Sequence, residues 1–132
     1  MGTVSNFEDL YIWQISSEFC KNIFKIINYK EFSKDFRLRD QIRASSGSIM
    51  DNIAEGYERS GNKEFIQFLF ISKGSCSESR SQLYRAFDSK YISEEEFTEL
   101  KEQTVKISSA IENLIKYLMQ SELKGSKYKK QQ

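Results

Sequence analysis

The chain reads as an all-α protein, an antiparallel up-down-up-down four-helix bundle. Three observations lead there. Proline is absent from all 132 residues, which suits long uninterrupted helices and argues against a loop-rich or all-β fold. Four long segments repeat apolar residues at spacings of three and four, the period of a helix with a buried face. The connections between them are short, so each helix must run antiparallel to the one before. A chain of this length fits one domain. The expected helices span about 7–29, 35–58, 62–89 and 93–121, forming a bundle over residues 1–123 with a basic tail at 124–132.

The first helix is expected to open after Ser5 or Asn6, where Ser5 and Glu8 fit a capping box. Its apolar set is Ile12, Ile15, Ser16, Phe19, Ile23, Ile26 and Ile27, flanked by Trp13, Cys20 and Phe24. That band covers about half the helix circumference, wider than a single core-facing stripe needs. A polar link at 30–34 follows, with Ser33 as the expected N-cap of the second helix and Asp35 favoured in its first turn by the helix dipole. The second helix carries Leu38, Ile42, Ser45, Ser46, Ile49, Ile53 and Tyr57. Its middle, Ser45–Ser48, holds no large side chain, so either a neighbouring helix approaches closely there or a bulky aromatic fills the gap. Gly47 costs about 1 kcal/mol against alanine in a helix interior, and close packing is the expected compensation.

The helix end falls between Gly56 and Arg59, with Gly61 in the turn and Asn62 as the next N-cap. The third helix has a stripe of Phe65, Phe68, Leu69, Ser72, Cys76, Ser79, Leu83, Ala86 and Phe87. Ile66, Phe70 and Tyr84 lie about 100–140° off it. Either another helix of the same chain covers them or they meet a second subunit. Trp13 and Phe24 join them as candidate oligomer-interface residues. Ser93 and Glu96 make the clearest capping box, with three acids in the first turn. The fourth helix repeats Phe97, Leu100, Thr104, Ile107, Ile111, Leu114 and Leu118. Order is expected to fail after about Leu123, leaving a solvated, disordered basic tail.

Twenty cations against nineteen anions give a formal charge of +1, which is not that of a strongly basic nucleic-acid binder. No run of about 18 apolar residues spans a membrane, and no secretory pattern opens the chain, so a cytoplasmic location is expected. With no His and only Cys20 and Cys76, the usual zinc sets and His-based catalysis are out of reach. No glycine-rich phosphate loop occurs. No enzyme activity, metal or cofactor is expected, and both thiols read as buried and free. Arg43, Asn52, Glu55 and Glu78 form a candidate structural polar network. Counted back from the turn, Arg43 falls level with Ser77–Glu78, and an Arg43–Glu78 ion pair is expected to set helix register.

Several motifs carry a family resemblance. They are Asp9-Leu10 with Trp13, Leu38-x-x-Gln41-Ile42-Arg43-Ala44, and Ser48-Ile49-x-x-Asn52-Ile53-Ala54-Glu55-Gly56. Phe65-x-x-Phe68-Leu69-x-Ile71-x-x-Gly74-Ser75-x-x-Glu78 and Leu83 continue it. Over about 7–120 the chain resembles the 23S rRNA-intervening-sequence protein family of bacterial four-helix-bundle proteins. Ser33 and Ser72-Lys73 depart from its usual residues. The resemblance implies a ring-like homopentamer. It also implies kinship with the accessory variability protein of diversity-generating retroelements, a basic protein that associates with a reverse transcriptase and binds nucleic acid.

The expected function is therefore that of a non-enzymatic oligomeric helical protein with an RNA- or DNA-related role. Its candidate phosphate contacts are Arg37, Arg39, Arg59, Lys63, Lys73, Arg80 and Arg85. The alternative is a protein-interaction scaffold that never touches nucleic acid.

Overall fold

The computed structural model describes residues 4–131, with side chains through residue 125. Every regular element in it is helical: a 3-10 turn at Phe7–Asp9, then α1 (Tyr11–Ile27), α2 (Lys30–Lys34), α3 (Phe36–Glu58), α4 (Asn62–Asp88) and α5 (Glu94–Gln131). The four long helices form a square in which α3 and α5 each touch both α1 and α4. The fold is the expected helical bundle.

The expected first helix is broken at both ends. The Asp9 carboxylate accepts the Ser5 and Asn6 N–H groups at 3.2 and 3.1 Å and closes a short turn. Leu10 is extended, and α1 starts after it. The capping box therefore uses Asn6 and Asp9 rather than Ser5 and Glu8. At the other end Tyr29 is extended and starts α2, where the sequence suggested only a polar link. Phe32 explains that helix. It is fully buried and stacks on Tyr91, with ring centroids 5.1 Å apart.

Asp35, not Ser33, caps α3, accepting the Leu38 N–H at 3.1 Å. The α3–α4 turn is only Arg59-Ser60-Gly61. Gly61, at φ 106°, takes the N-cap position expected of Asn62. A left-handed residue costs glycine nothing. In the α4–α5 turn the left-handed position falls on Lys90, at φ 63°. The Lys90 and Tyr91 N–H groups bond back to Phe87 and Ala86 carbonyls at 2.9 and 3.0 Å, satisfying orphan carbonyls at the helix end.

Ser93 and Glu96 form the expected capping box. Glu96 accepts the Ser93 N–H at 2.8 Å, and Ser93 Oγ accepts the Glu96 N–H at 3.0 Å. The helix they start is longer than anticipated. It continues past Leu123 to Gln131, so most of the expected disordered tail is helical. Lys, Glu and Gln are good helix formers and no proline intervenes, so Gly125 alone opposes continuation, by about 1 kcal/mol. Gln132 lies outside the described residues.

The core runs from Ile12 through Phe19, Ile42, Ile49, Leu69 and Leu83 to Ile107 and Ile111. Each such side chain contributes about 1.5–3 kcal/mol on burial. The α3–α4 contact is different in kind. Ser45, Ser72 and Ser79 are all buried there. Small side chains let the two backbones approach, and hydroxyl bonds satisfy their polar atoms. Ser72 Oγ donates to the Ile49 carbonyl at 2.7 Å.

Candidate nucleic-acid interface

The seven candidate cations do not form one patch. Arg37 and Arg39 start α3 and Arg85 ends α4, so these three share one end of the bundle. Arg59 and Lys63 flank the turn at the other end. Arg37 and Arg59 are 22 positions apart along the α3 direction, about 33 Å at helical rise. Several of these cations are also engaged. Arg39 bonds the Ser33 carbonyl at 3.2 Å and Asp40 at 3.3 Å, and its guanidinium lies over the Phe36 ring. Arg59 pairs with Glu55 at 3.0 Å and covers the Phe68 ring. Lys73 reaches Glu112 on α5 at 3.7 Å. Arg85 donates to Gln41 at 3.1 Å. Arg80 is partly buried, while Arg37 and Lys63 are exposed. Exposed ion pairs of this kind contribute about 0–1 kcal/mol, so a polyanion could displace the acids.

The expected Arg43–Glu78 pair does not form; both residues are exposed. Ser45 sits on the α4 side of α3, and Arg43, two positions away, is about 160° round the helix. Arg43 instead lies over the Phe24 ring of α1, 5.3 Å from its centroid. The proposed network therefore separates into unrelated pieces. Asn52 donates to Ser48 O and Oγ at 2.8 and 2.9 Å, and Ser75 of α4 donates to the same Ser48 Oγ at 3.1 Å. The groups that do set the α3–α4 register are Ser45, Ser79 and Gln82. Ser45 Oγ lies 2.6 Å from Gln82 Oε1 and 2.8 Å from Ser79 Oγ. With Ser45 donating to Gln82, Ser79 donates to Ser45. The signal available in the sequence was the pair of small residues on facing helices, not the charges.

Of the apolar interface candidates, Phe24, Phe70 and Tyr84 are 53%, 49% and 43% exposed, whereas Ile66 is only 9% exposed and belongs to the core. The α4 helix packs against both α3 and α5, so its buried band is wide enough to take in Ile66. Trp13 is partly buried, against Phe7 and the core. A shallow groove between α1 and α3 is lined by Cys20, Ile23, Phe24, Ser46 and Met50, with Arg43 at its rim.

Two tyrosine–carboxylate contacts tie the turns together at the α2 end. Tyr29 of α2's N-cap donates to Glu96 of α5, and Tyr91 donates to Asp35 at 2.9 Å. The Ser93 N–H, followed by the Tyr29 hydroxyl, holds the Glu96 carboxyl below its usual range. The Leu38 N–H and then the Tyr91 hydroxyl do the same for Asp35. A polar groove beside this clasp, between α1 and α5, is lined by Asn22, Lys25, Tyr29, Glu96, Glu99 and Gln103. Asn22 and Gln103 close on each other across it at 3.1 Å. Burial pushes the Cys76 thiol up to about 11, which makes it unreactive at neutral pH. Cys20 is partly buried, and both thiols are free. Among the described residues no cluster of side chains could hold a metal ion, and no helix is long and apolar enough to cross a membrane.

Comparison with known proteins identifies the fold. The family model of the 23S rRNA-intervening sequence protein matches residues 8–113. The chain belongs to that family. Its bundle superposes on a crystal structure from Bacteroides thetaiotaomicron, a protein of unknown function from the S23 ribosomal protein family. The TM-score is 0.74 at 25% identity, covering 80% of this chain and 98% of that one. No curated protein matches.

The family motif at 52–56 now has a structural explanation. Asn52 ties down Ser48, Ile53 is fully buried, and Glu55 pairs with Arg59. Gly56 lets Phe68 in. A Cβ at position 56 would sit 2.5 Å from Phe68 Cβ and 3.1 Å from Phe65 Cδ1. The motif therefore builds the α3–α4 hairpin.

Proposed function

We propose that this family member acts by binding rather than by catalysis, as a self-assembling helical protein associated with RNA. Membership in the 23S rRNA-intervening sequence family over residues 8–113 is the observation that carries the RNA association. Self-assembly is supported by the large side chains a lone bundle leaves in water, Phe24 on α1 and Phe70 and Tyr84 on α4 among them. A ring repeats any cationic group once per subunit, so a chain of modest net charge can still present many phosphate contacts.

The test pairs sedimentation velocity with filter binding of a structured RNA. A multimer at micromolar concentration is expected. RNA retention at low salt should fall steeply as salt rises, through counterion release. A monomer would remove the assembly. Absence of retention at low salt would remove the RNA association, and co-purification of a protein that survives nuclease treatment would then favour a protein scaffold.

A further inference from the structure

The faces of the bundle differ in charge. Through residue 123 the chain carries sixteen cations against nineteen anions, so the bundle as a whole is acidic. The face shared by α4 and α5 runs against that balance. Lys73 of α4 reaches Glu112 of α5 at 3.7 Å, and the Lys101 ammonium of α5 lies 5.3 Å from the Tyr84 ring centroid on α4. These two contacts fix the antiparallel register of the pair. Arg80 lies two turns past Lys73, and Lys116 one turn past Glu112, so both continue the same face. Lys63, Phe70, Ser77 and Tyr84 follow one another at seven-residue steps and form its outer line on α4. At 100° per residue that line stands about 115° round from the core direction of Phe65, Leu69, Cys76 and Leu83.

From Lys63 to Tyr84 this face runs about 32 Å. Among the described residues it holds five cations, Lys63, Lys73, Arg80, Lys101 and Lys116, against one acid, Glu112. The rest of residues 1–123 is left with eleven cations against eighteen acids. The acids of α5 collect on its next face. Glu95, Glu99 and Glu102 lie about 100° round from Lys101, Glu112 and Lys116, towards α1, where Glu99 lines the groove with Asn22. Lys63 and Lys116 are exposed, and Lys73, Arg80 and Lys101 are partly so. Phe70, 49% exposed, falls level with Ile115, next to Lys116.

We infer that this α4–α5 face is the surface that contacts RNA, and that it takes an unpaired stretch of the strand. The inference rests on the RNA reading above and names the surface responsible. A polyanion is drawn to this face and repelled by the acidic remainder of the bundle. Its cations contact successive phosphates without regard to sequence. Phe70, with Lys73 one turn on and Lys116 beside it, offers a ring on which an unpaired base stacks. Of the cations that the sequence singles out, Arg37, Arg39, Arg59 and Arg85 stand off this face, on or towards α3. Lys101 and Lys116 take their place. The face stays open in the assembled protein, which leaves Phe24 on α1 for the subunit contact.

Four full-length variants test it. Lys73→Gln/Arg80→Gln/Lys116→Gln alters the face, and Arg37→Gln/Arg59→Gln/Arg85→Gln removes the same charge elsewhere. Phe70→Ala removes the ring. Lys116→Glu changes one exposed side chain and keeps the test open if the triple variant fails a thermal melt. Each is titrated by anisotropy with fluorescein-labelled oligouridylate, which forms no duplex, across a salt series. The face variant is expected to bind at least about 10-fold more weakly, and its slope of log K against log salt should be shallower by about 2, since each lost contact to a single strand removes about 0.7. Lys116→Glu should also bind more weakly, and the matched arginine variant should stay within about 3-fold of wild type. Phe70→Ala should lose about 5-fold or more with its salt slope unchanged, and should sediment as wild type. The inference is overturned, and the RNA reading stands, if the face variant and Lys116→Glu bind as wild type, if the two triple variants lose affinity equally, or if wild type binds structured RNA but not oligouridylate. Dissociation of the Phe70→Ala assembly would make this face a subunit contact and overturns the inference as well. If wild type binds neither RNA at low salt, the inference and the RNA reading both fall.

Discussion

Replacing Gly56 by alanine tests the close approach of α3 to α4. Gly56 lies in the last turns of α3 and is buried against α4. The new Cβ would stand 2.5 Å from Phe68 Cβ, 3.2 Å from Phe68 Cγ and 3.1 Å from Phe65 Cδ1. Phe68 Cβ is fixed to its backbone and cannot rotate away, so the helices must separate by about 1 Å to restore van der Waals contact. Overpacking of this sort costs about 1–3 kcal/mol, and the near-backbone clash argues for the upper half of that range. Alanine's helix propensity returns up to about 1 kcal/mol. The net expectation is a loss of about 1–2 kcal/mol. With an unfolding entropy of about 2.1 cal/mol/K per residue, that is about 4–7 °C for a chain of this length. Gly47→Ala is the matched control. It lies in the same helix, and a Cβ there would meet nothing within 4 Å, so it should gain up to about 1 kcal/mol. Both are read by circular dichroism melts at one protomer concentration, because assembly shifts the midpoint. A Gly56→Ala chain as stable as Gly47→Ala would refute the close-approach argument.

The other expectations concern single interactions. Gln82→Ala removes the acceptor of the buried Ser45 hydroxyl and should cost about 1–3 kcal/mol in urea unfolding; a change below 0.5 kcal/mol, on the order of experimental error, would deny the seam any role in stability. Lys90→Gly relieves the left-handed backbone at φ 63° and should stabilise by up to about 1 kcal/mol, so a lower melting midpoint would count against it. Glu96 and Asp35 have folded-state values below their ordinary ones. Their stabilisation is therefore present above the unfolded carboxylate range and is lost as pH falls through the folded values. Glu96→Gln should flatten the acid limb of a stability–pH curve below about pH 4.5; an unchanged limb would show that Tyr29 and Ser93 do not hold that charge. Cys76, raised to about 11, should resist iodoacetamide at pH 8 in the native protein and react in guanidinium, and rapid native labelling at Cys76 would contradict its burial.

Much of the bundle was legible because its signals are local. The Ser93–Glu96 box needs only four consecutive residues, and the period of Phe97, Leu100, Ile107 and Ile111 needs only one helix. The misreadings arose where a second element decides the outcome. Ser33 fits an N-cap with Asp35 in the first turn, but Phe32 must reach Tyr91, and that contact makes 30–34 a helix of its own and leaves Asp35 to cap α3. Ile66 looked surplus on a narrow stripe, yet α4 serves two neighbours. Arg43 and Glu78 stood at similar heights above the turn, and height says nothing about azimuth. Charge alone marks the candidate cations, and charge does not say which end of the bundle a residue occupies or what already pairs with it. The basic tail looked solvated by composition. Whether a helix carries on past its bundle depends on the last capping or breaking residue, and a single Gly125 does not break it.

The serine-lined seam has a kinetic consequence. The two helices that come closest are neighbours in the chain, joined by only three residues, so their contact closes across a very short loop. Such pairings cost little chain entropy and form early. The α3–α4 hairpin is thus the pairing that loop closure favours first, ahead of contacts that need α5. The helix that completes the square, α5, follows the hairpin in the chain, so the bundle closes only once α5 is available to pack on it.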